Sequence, residues 1–82
     1  MVYRVILAVY YGIEEYSVRA SVYDGDGRLV EEREFSGVKR ITISSSKVHL
    51  SAQLSPRPFT LVIETEKPTI KLRDKNILVI GE

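Results

Sequence analysis

The sequence predicts an all-β domain of seven to eight short antiparallel strands, in a meander that forms a small sandwich or flattened barrel. Two observations support this fold class. Apolar and polar residues alternate in stretches such as "EYSVRASVY" and "KVHLSAQL", and such alternation is typical of half-buried strands. In addition, no stretch places its apolar residues at helical spacing. The runner-up is one open sheet that becomes two layers only on dimerisation.

The length of 82 residues predicts a single domain over residues 1–82. A domain of this size buries only about 60% of the surface of its unfolded chain. The chain has no cysteine, so disulfides and thiolate metal sites cannot add stability. Such a domain often gains stability by burying surface against another subunit.

The first two predicted strands form a hairpin with a loop at residues 11–14. Pairing Val9 with Tyr16 and Val5 with Ala20 keeps the apolar side chains of both strands on one face.

The segment "DGDG" at residues 24–27 is predicted to be the next bend, with Val22 opposite Leu29 and Gly25-Asp26 at the centre of a tight turn. The spacing excludes an EF-hand calcium loop, since Arg28 stands at the fifth position where an acid is needed. No helix follows to offer its N-terminus to a phosphate group.

Two later strands depart from simple alternation. "RLVEEREF" carries charge on both faces, which favours an edge strand protected against aggregation; its functional interpretation is an acidic docking edge. "NILVIGE" is apolar on both faces, which predicts either a central strand between two layers or burial by a partner chain.

Three further hairpins complete the predicted meander. They pair Ile43 with Val48, Ile63 with Ile70, and Leu72 with Ile77, with turns at residues 45–46, 66–67 and 74–75. The predicted core consists of Val5, Leu7, Val9, Val18, Val22, Ile41, Ile43, Val48, Leu50, Leu61, Ile63, Ile70, Leu72, Ile77 and Val79.

The sequence offers little for catalysis. Its single histidine, His49, lies on the polar face of a predicted strand beside Ser51, and nothing supplies the orienting acid and oxyanion donors that a triad needs. One histidine without clustered acids is not a metal site. We therefore expect no enzyme activity, no cofactor and no metal.

Composition gives a few hints about habitat. Asn, Gln and Met occur once each, while charged and β-branched residues are abundant, which is typical of hyperthermophile proteins. No apolar run is long enough to cross a membrane as a helix, and we expect a cytoplasmic protein without membrane contact. The net charge is +1, but residues 1–35 are acidic and residues 36–82 are basic.

The outward face of the first hairpin is the candidate binding surface, because an apolar centre rimmed by arginine and tyrosine is typical of a protein interface. Leu78 and Ile80 of the last strand join it as apolar side chains that need cover. We expect a protein–protein interaction or assembly module, homo-oligomeric or a subunit of a larger complex. The interface candidates are Arg4, Ile6, Ala8, Tyr10, Tyr11, Arg19, Tyr23, Leu78 and Ile80.

Nucleic-acid binding is the alternative function. Arginine and tyrosine interleaved on a sheet can form a platform on which bases stack. A basic C-terminal half could follow the phosphates, through the basic-face candidates Lys39, Lys47, Lys71 and Arg73. The near-neutral net charge and the acidic third strand favour the protein interface.

Overall fold

A computed structural model describes residues 1–44, the backbone of 47–50, and residues 59–82. Every regular element in these ranges is a β-strand, which confirms the predicted fold class. The strands are β1 (Tyr3–Tyr11), β2 (Tyr16–Tyr23), β3 (Leu29–Val38), β4 (Arg40–Ile43), β5 (Lys47–Leu50), β6 (Phe59–Thr65), β7 (Ile70–Arg73) and β8 (Ile77–Ile80).

The strands form two sheets, as expected of a small sandwich. Sheet A is antiparallel with the order β3-β2-β1-β6-β5, and sheet B has the order β4-β8-β7. Buried side chains of both sheets form one hydrophobic cluster, so their inner faces pack against each other. The expectation of purely antiparallel pairing is wrong, because β4 and β8 run parallel.

The first hairpin forms, but its register differs by two residues from the predicted one. Val9 lies opposite Val18, and Val5 lies opposite Val22. A shift of two preserves which side chains face inward, so alternation alone could not distinguish the two registers. The observed register brings Tyr11 opposite Tyr16, whose rings meet edge to face with centroids 5.3 Å apart.

The bend at residues 24–27 is confirmed as a hairpin turn, although a longer one than predicted. The Asp24 amide donates to the Arg28 carbonyl at 2.9 Å, and the Gly27 amide donates to the Asp24 carbonyl at 3.0 Å. The left-handed residue is Gly27, at φ 83°, rather than Gly25 or Asp26. This turn sets Tyr23 rather than Val22 opposite Leu29, and a bulge then places Val22 opposite Glu31.

Two predicted hairpins do not form. β4 pairs with β8 instead of β5, and β6 and β7 belong to different sheets. β5 instead pairs with β6, placing Val48 opposite Ile63. The hydrophobic pattern specifies which face of a strand is buried but not which strand lies beside it. The turn predicted at residues 45–46 lies outside the described residues.

The β7–β8 hairpin is confirmed with a register shift of one residue. Leu72 lies opposite Leu78, and Arg73 lies opposite Ile77. The cause lies in the loop, where Asp74 and Lys75 both adopt positive φ, at 53° and 69°. No glycine marks this backbone conformation in the sequence, so the pattern of apolar residues gave no sign of it.

That shift changes the core. Leu78 and Ile80 are fully buried and Val79 is nearly so, whereas Ile77 is only half-buried and Leu72 is exposed. The prediction that Leu72 lies in the core is wrong: although Leu72 lies opposite the buried Leu78, it stands on the edge strand β7 and is exposed. β8 is the central strand of sheet B. Its consecutive residues Leu78, Val79 and Ile80 are all buried, so side chains on both of its faces are covered.

The rest of the predicted core is largely confirmed. Val5, Leu7, Val9, Val18, Val22, Ile63 and Ile70 are buried, and Ile41, Ile43 and Leu61 are half-buried. The side chains of Val48 and Leu50 lie outside the described part of the chain. β3 is an edge strand as predicted, yet it buries Phe35 and Val38 in the core.

Candidate interaction surface on the outer face of sheet A

One side of sheet A faces away from sheet B, and we call it the outer face. β1 sends Val5, Leu7 and Val9 into the core, so the intervening side chains project outward. The strand registers extend this face across neighbouring strands. It comprises Arg4, Ile6, Ala8 and Tyr10 of β1, Ser17, Arg19, Ser21 and Tyr23 of β2, Glu32 and Glu34 of β3, and Thr60, Val62 and Glu64 of β6.

The centre of the outer face is apolar. Ile6 lies directly opposite Val62, and Ala8 is the next outward residue along β1. All three side chains are half-buried. Because sheet B packs against the opposite side of sheet A, these residues form an apolar patch that sheet B does not cover.

A charged pair borders the patch on the side of β3. Arg19 donates from Nε and Nη2 to Oε1 of Glu34, at 3.0 and 2.7 Å. The hydrogen bonds that Arg19 donates to this carboxylate, together with its negative charge, raise the pKa of Arg19 above its ordinary value. Both side chains are more than half exposed, so the pair orients Arg19 on the surface rather than burying it.

A groove of about 490 Å³ adjoins the other end of the patch. Arg4 and Tyr23 are cross-strand neighbours there, and Ile6 and Glu64 also line the groove. The turn at residues 24–27 forms one wall. Asp24 Oδ1 accepts hydrogen bonds from the amides of Asp26 and Arg28 at 2.9 and 3.0 Å, which fixes this wall.

The structure brings six of the predicted interface residues together and separates three. Arg4, Ile6, Ala8, Tyr10, Arg19 and Tyr23 share the outer face. Tyr11, expected in a loop beside that face, ends β1 on the opposite side, next to Tyr16. Leu78 and Ile80 are fully buried within the chain, so they offer no surface to a partner.

The basic-face candidates do not gather on one surface. Lys71 and Arg73 are exposed on β7 of sheet B, and Arg73 lies 3.9 Å from a carboxylate oxygen of Glu82. Lys39 lies between β3 and β4 at the end of the sandwich. For Lys47 the structure gives only the register, opposite Glu64. Lys39, Lys71 and Arg73 therefore do not extend the outer face into a basic track.

Sequence reasoning did not select Val62 or Glu34, although both contribute to the outer face. The signal for Val62 was present, since "FTLVIETE" alternates and leaves Val62 on the side away from Ile63. Its importance depends on β6 lying beside β1, and no local pattern predicts that pairing. Glu34 becomes relevant because the β2–β3 register sets it opposite Arg19.

The described residues hold no candidate metal centre. No group of three histidine, cysteine or acidic side chains in that part of the chain could hold a metal ion. The backbone of His49 lies on β5 opposite Val62, while Ser51 lies outside the described residues. No helix in the described ranges is long and apolar enough for a bilayer crossing.

Comparison of the chain with protein-family models, with curated proteins and with solved structures gives no match in any of the three.

Proposed function

We propose that this protein is a small non-catalytic interaction module that associates with a second copy of itself through the outer face of sheet A. The observation that carries the proposal is the apolar patch of Ile6, Ala8 and Val62, which lies on the side of sheet A that sheet B does not cover. Transfer of such a patch out of water is favourable by about 25 cal/mol per Å² of apolar surface.

The border of the patch has the composition of an interface rim. Tyr10 is 44% exposed, Tyr23 is half-buried, and Arg19 is oriented by Glu34. Tyrosine and arginine are among the residue types that contribute most often to the free energy of protein binding. An apolar centre surrounded by such residues supports protein binding.

The charges on the outer face support a second copy as the partner. Among the described side chains, two arginines and three glutamates occupy the face, so both signs are present within one surface. A two-fold interface places the same surface on both sides and therefore needs such self-complementarity. The net charge of +1 adds little repulsion between copies.

The area of the face predicts a weak association. Four strands about 4.8 Å apart, each contributing about seven residues at about 3.3 Å, give a flat footprint of about 440 Å² per copy. Specific interfaces commonly bury about 800 Å² per partner. Projecting side chains add to the area of the flat footprint, so we expect an interface somewhat smaller than this common size. The fraction of dimer should therefore depend on protein concentration.

The position of the acids also weighs against nucleic acid as the partner. Glu32 and Glu34 stand on the same face as Arg19, and Glu34 already accepts two hydrogen bonds from it. Phosphate binding depends on unopposed positive charge. Stacking of bases on Tyr10 and Tyr23 would bring phosphates toward these carboxylates.

The test is light scattering on a size-exclusion column over a wide range of protein concentrations. We expect the mean mass to rise with concentration, and Ile6→Glu to abolish the rise because it places a charge in the apolar patch. Ile13→Glu is the matched control, since Ile13 is 92% exposed in the β1–β2 loop, and it should leave the rise unchanged.

A monomer at every concentration would overturn the proposal. So would a rise in mass that Ile6→Glu leaves intact, or one that both variants abolish equally. Adding a mixed-sequence oligonucleotide at low and high salt tests the alternative function. Co-elution at low salt only, weakened by Tyr10→Ala, would establish nucleic-acid binding instead.

A further inference from the structure

A second concave surface lies at the end of the sandwich, away from the outer face, and we call it the end groove. Its volume is about 240 Å³. Both sheets contribute to it, since Val9, Tyr11, Tyr16, Phe59 and Leu61 come from sheet A and Ile41 comes from sheet B. Lys39 and Arg40 complete the lining.

The end groove is a place where the hydrophobic core reaches solvent. Val9 belongs to the core cluster, while Tyr16, Ile41, Phe59 and Leu61 pack against that cluster and yet remain half-buried. Apolar side chains that already contact the core gain free energy when a further apolar group removes their remaining surface from water. The groove therefore favours an occupant with an apolar body.

Both charged residues in the described lining of the end groove, Lys39 and Arg40, are positive. Lys39 and Arg40 are exposed, and their backbone amides both donate to the Asn76 carbonyl, at 2.8 and 3.3 Å. This carbonyl anchors the two cationic residues beside the apolar lining. None of the eight described lining residues is acidic. The Glu15 carboxylate lies beside Gly37, two residues before Lys39, but does not line the groove.

We propose that the end groove binds an amphipathic anion, a short hydrocarbon chain that carries one carboxylate group. The hydrocarbon chain packs on Tyr16, Phe59 and Leu61, and the carboxylate lies at the mouth near Lys39 and Arg40. At about 30 Å³ per water-sized group, the volume accommodates about eight such groups. This site is independent of the proposed self-association, because it occupies a different surface.

The experiment is a titration of the isotope-labelled protein with octanoate, followed by the amide chemical shifts of β1, β2 and β6. We expect saturable shifts for the residues of the groove. Lys39→Glu with Arg40→Glu should weaken the affinity at least tenfold, because two attractive charges become repulsive ones. Lys71→Glu is the control, because it reverses an exposed charge on β7 of sheet B. It should leave the affinity for octanoate within twofold of that of the parent protein.

Octylamine distinguishes the contribution of charge from that of the hydrocarbon chain. It has the same apolar body with the opposite charge, and we expect it to bind at least tenfold more weakly than octanoate. The proposal is overturned if octanoate causes no saturable shifts, or if it binds the double variant as well as the parent. Equal binding of octylamine would also overturn it. A spectrum of the double variant that retains the dispersion of the parent excludes unfolding as the reason for lost binding.

Discussion

Arg33 Nη1 on β3 donates a hydrogen bond of 2.8 Å to the carbonyl oxygen of Ile70 on β7. This contact joins the edge strand of sheet A to an edge strand of sheet B. The same guanidinium lies 4.9 Å from the ring centroid of Phe35, in a cation–π arrangement, and 3.7 Å from Oε2 of Glu31. The Arg33 side chain thus links the two sheets along the side of the sandwich where β3 and β7 lie.

Replacing Arg33 should weaken the contact between the two sheets and so lower the stability of the fold. We expect Arg33→Ala to lower the free energy of unfolding by about 1–2 kcal/mol, because it removes a charge-assisted hydrogen bond and a cation–π contact that are partly exposed to solvent. Arg33→Lys should recover only part of the loss, since an ammonium group does not reproduce the planar stacking of a guanidinium. Urea unfolding measures both values.

Arg28→Ala is the control for Arg33, since Arg28 is an exposed arginine in the β2–β3 turn. It should change the free energy of unfolding by less than about 0.5 kcal/mol. Equal effects of Arg33→Ala and Arg28→Ala would refute the role given to the Arg33–Ile70 contact.

Gly81 occupies a position that only glycine fits well. Its φ is +82°, and an added Cβ would stand 3.1 Å from the Ser44 carbonyl oxygen. Gly81→Ala should therefore lower the free energy of unfolding by at least about 2 kcal/mol, combining left-handed strain with a backbone clash. Thermal unfolding of the variant measures the loss.

Gly27→Ala separates the cost of the left-handed backbone conformation from the cost of the clash with Ser44. Gly27 has a similar φ of +83°, but nothing lies within 4 Å of the position of its Cβ. This variant should lose only about 1 kcal/mol, from the backbone conformation alone. If the two variants lose equal stability, the contact with Ser44 does not matter.

The Asp24 side chain should stabilise its turn through hydrogen bonding. Asp24→Ala removes the acceptor of two backbone amides and should cost about 1 kcal/mol of unfolding free energy, as solvent replaces part of the loss. Asp24→Asn keeps a side-chain oxygen acceptor and should cost less. Calcium should not change the melting temperature of the parent protein; a calcium-dependent rise would contradict the assignment of this carboxylate to the turn.

The sequence predicts local features of this fold well. The inward residues of β1 and β2, the bend at Asp24 and the edge position of β3 all follow from alternation, turn chemistry and charge. These properties depend on a few neighbouring residues. The side of a strand that a residue faces is also a local property, and six of the nine residues expected on the interaction surface do lie on one face.

Non-local pairing could not be predicted in this way. Whether Ile43 lies beside Val48 or beside Ile80 depends on which strand is nearest in space, and both pairings bury apolar side chains. The β7–β8 register depends on positive φ at Asp74 and Lys75, which neither residue type indicates strongly. That single-residue shift moved Leu78 and Ile80 from candidate surface residues into the core.

The parallel pairing of β4 with β8 has a consequence for the time course of folding. β1, β2 and β3 pair with their neighbours along the chain and need only short loops to close. β4 can pair only after residues 77–80 are available. Bringing β4 and β8 together closes a long loop, and this step is slow because the loop loses conformational entropy before any contact forms. During synthesis, the inner face of sheet A therefore remains open to water, and to other nascent chains, until β8 has emerged.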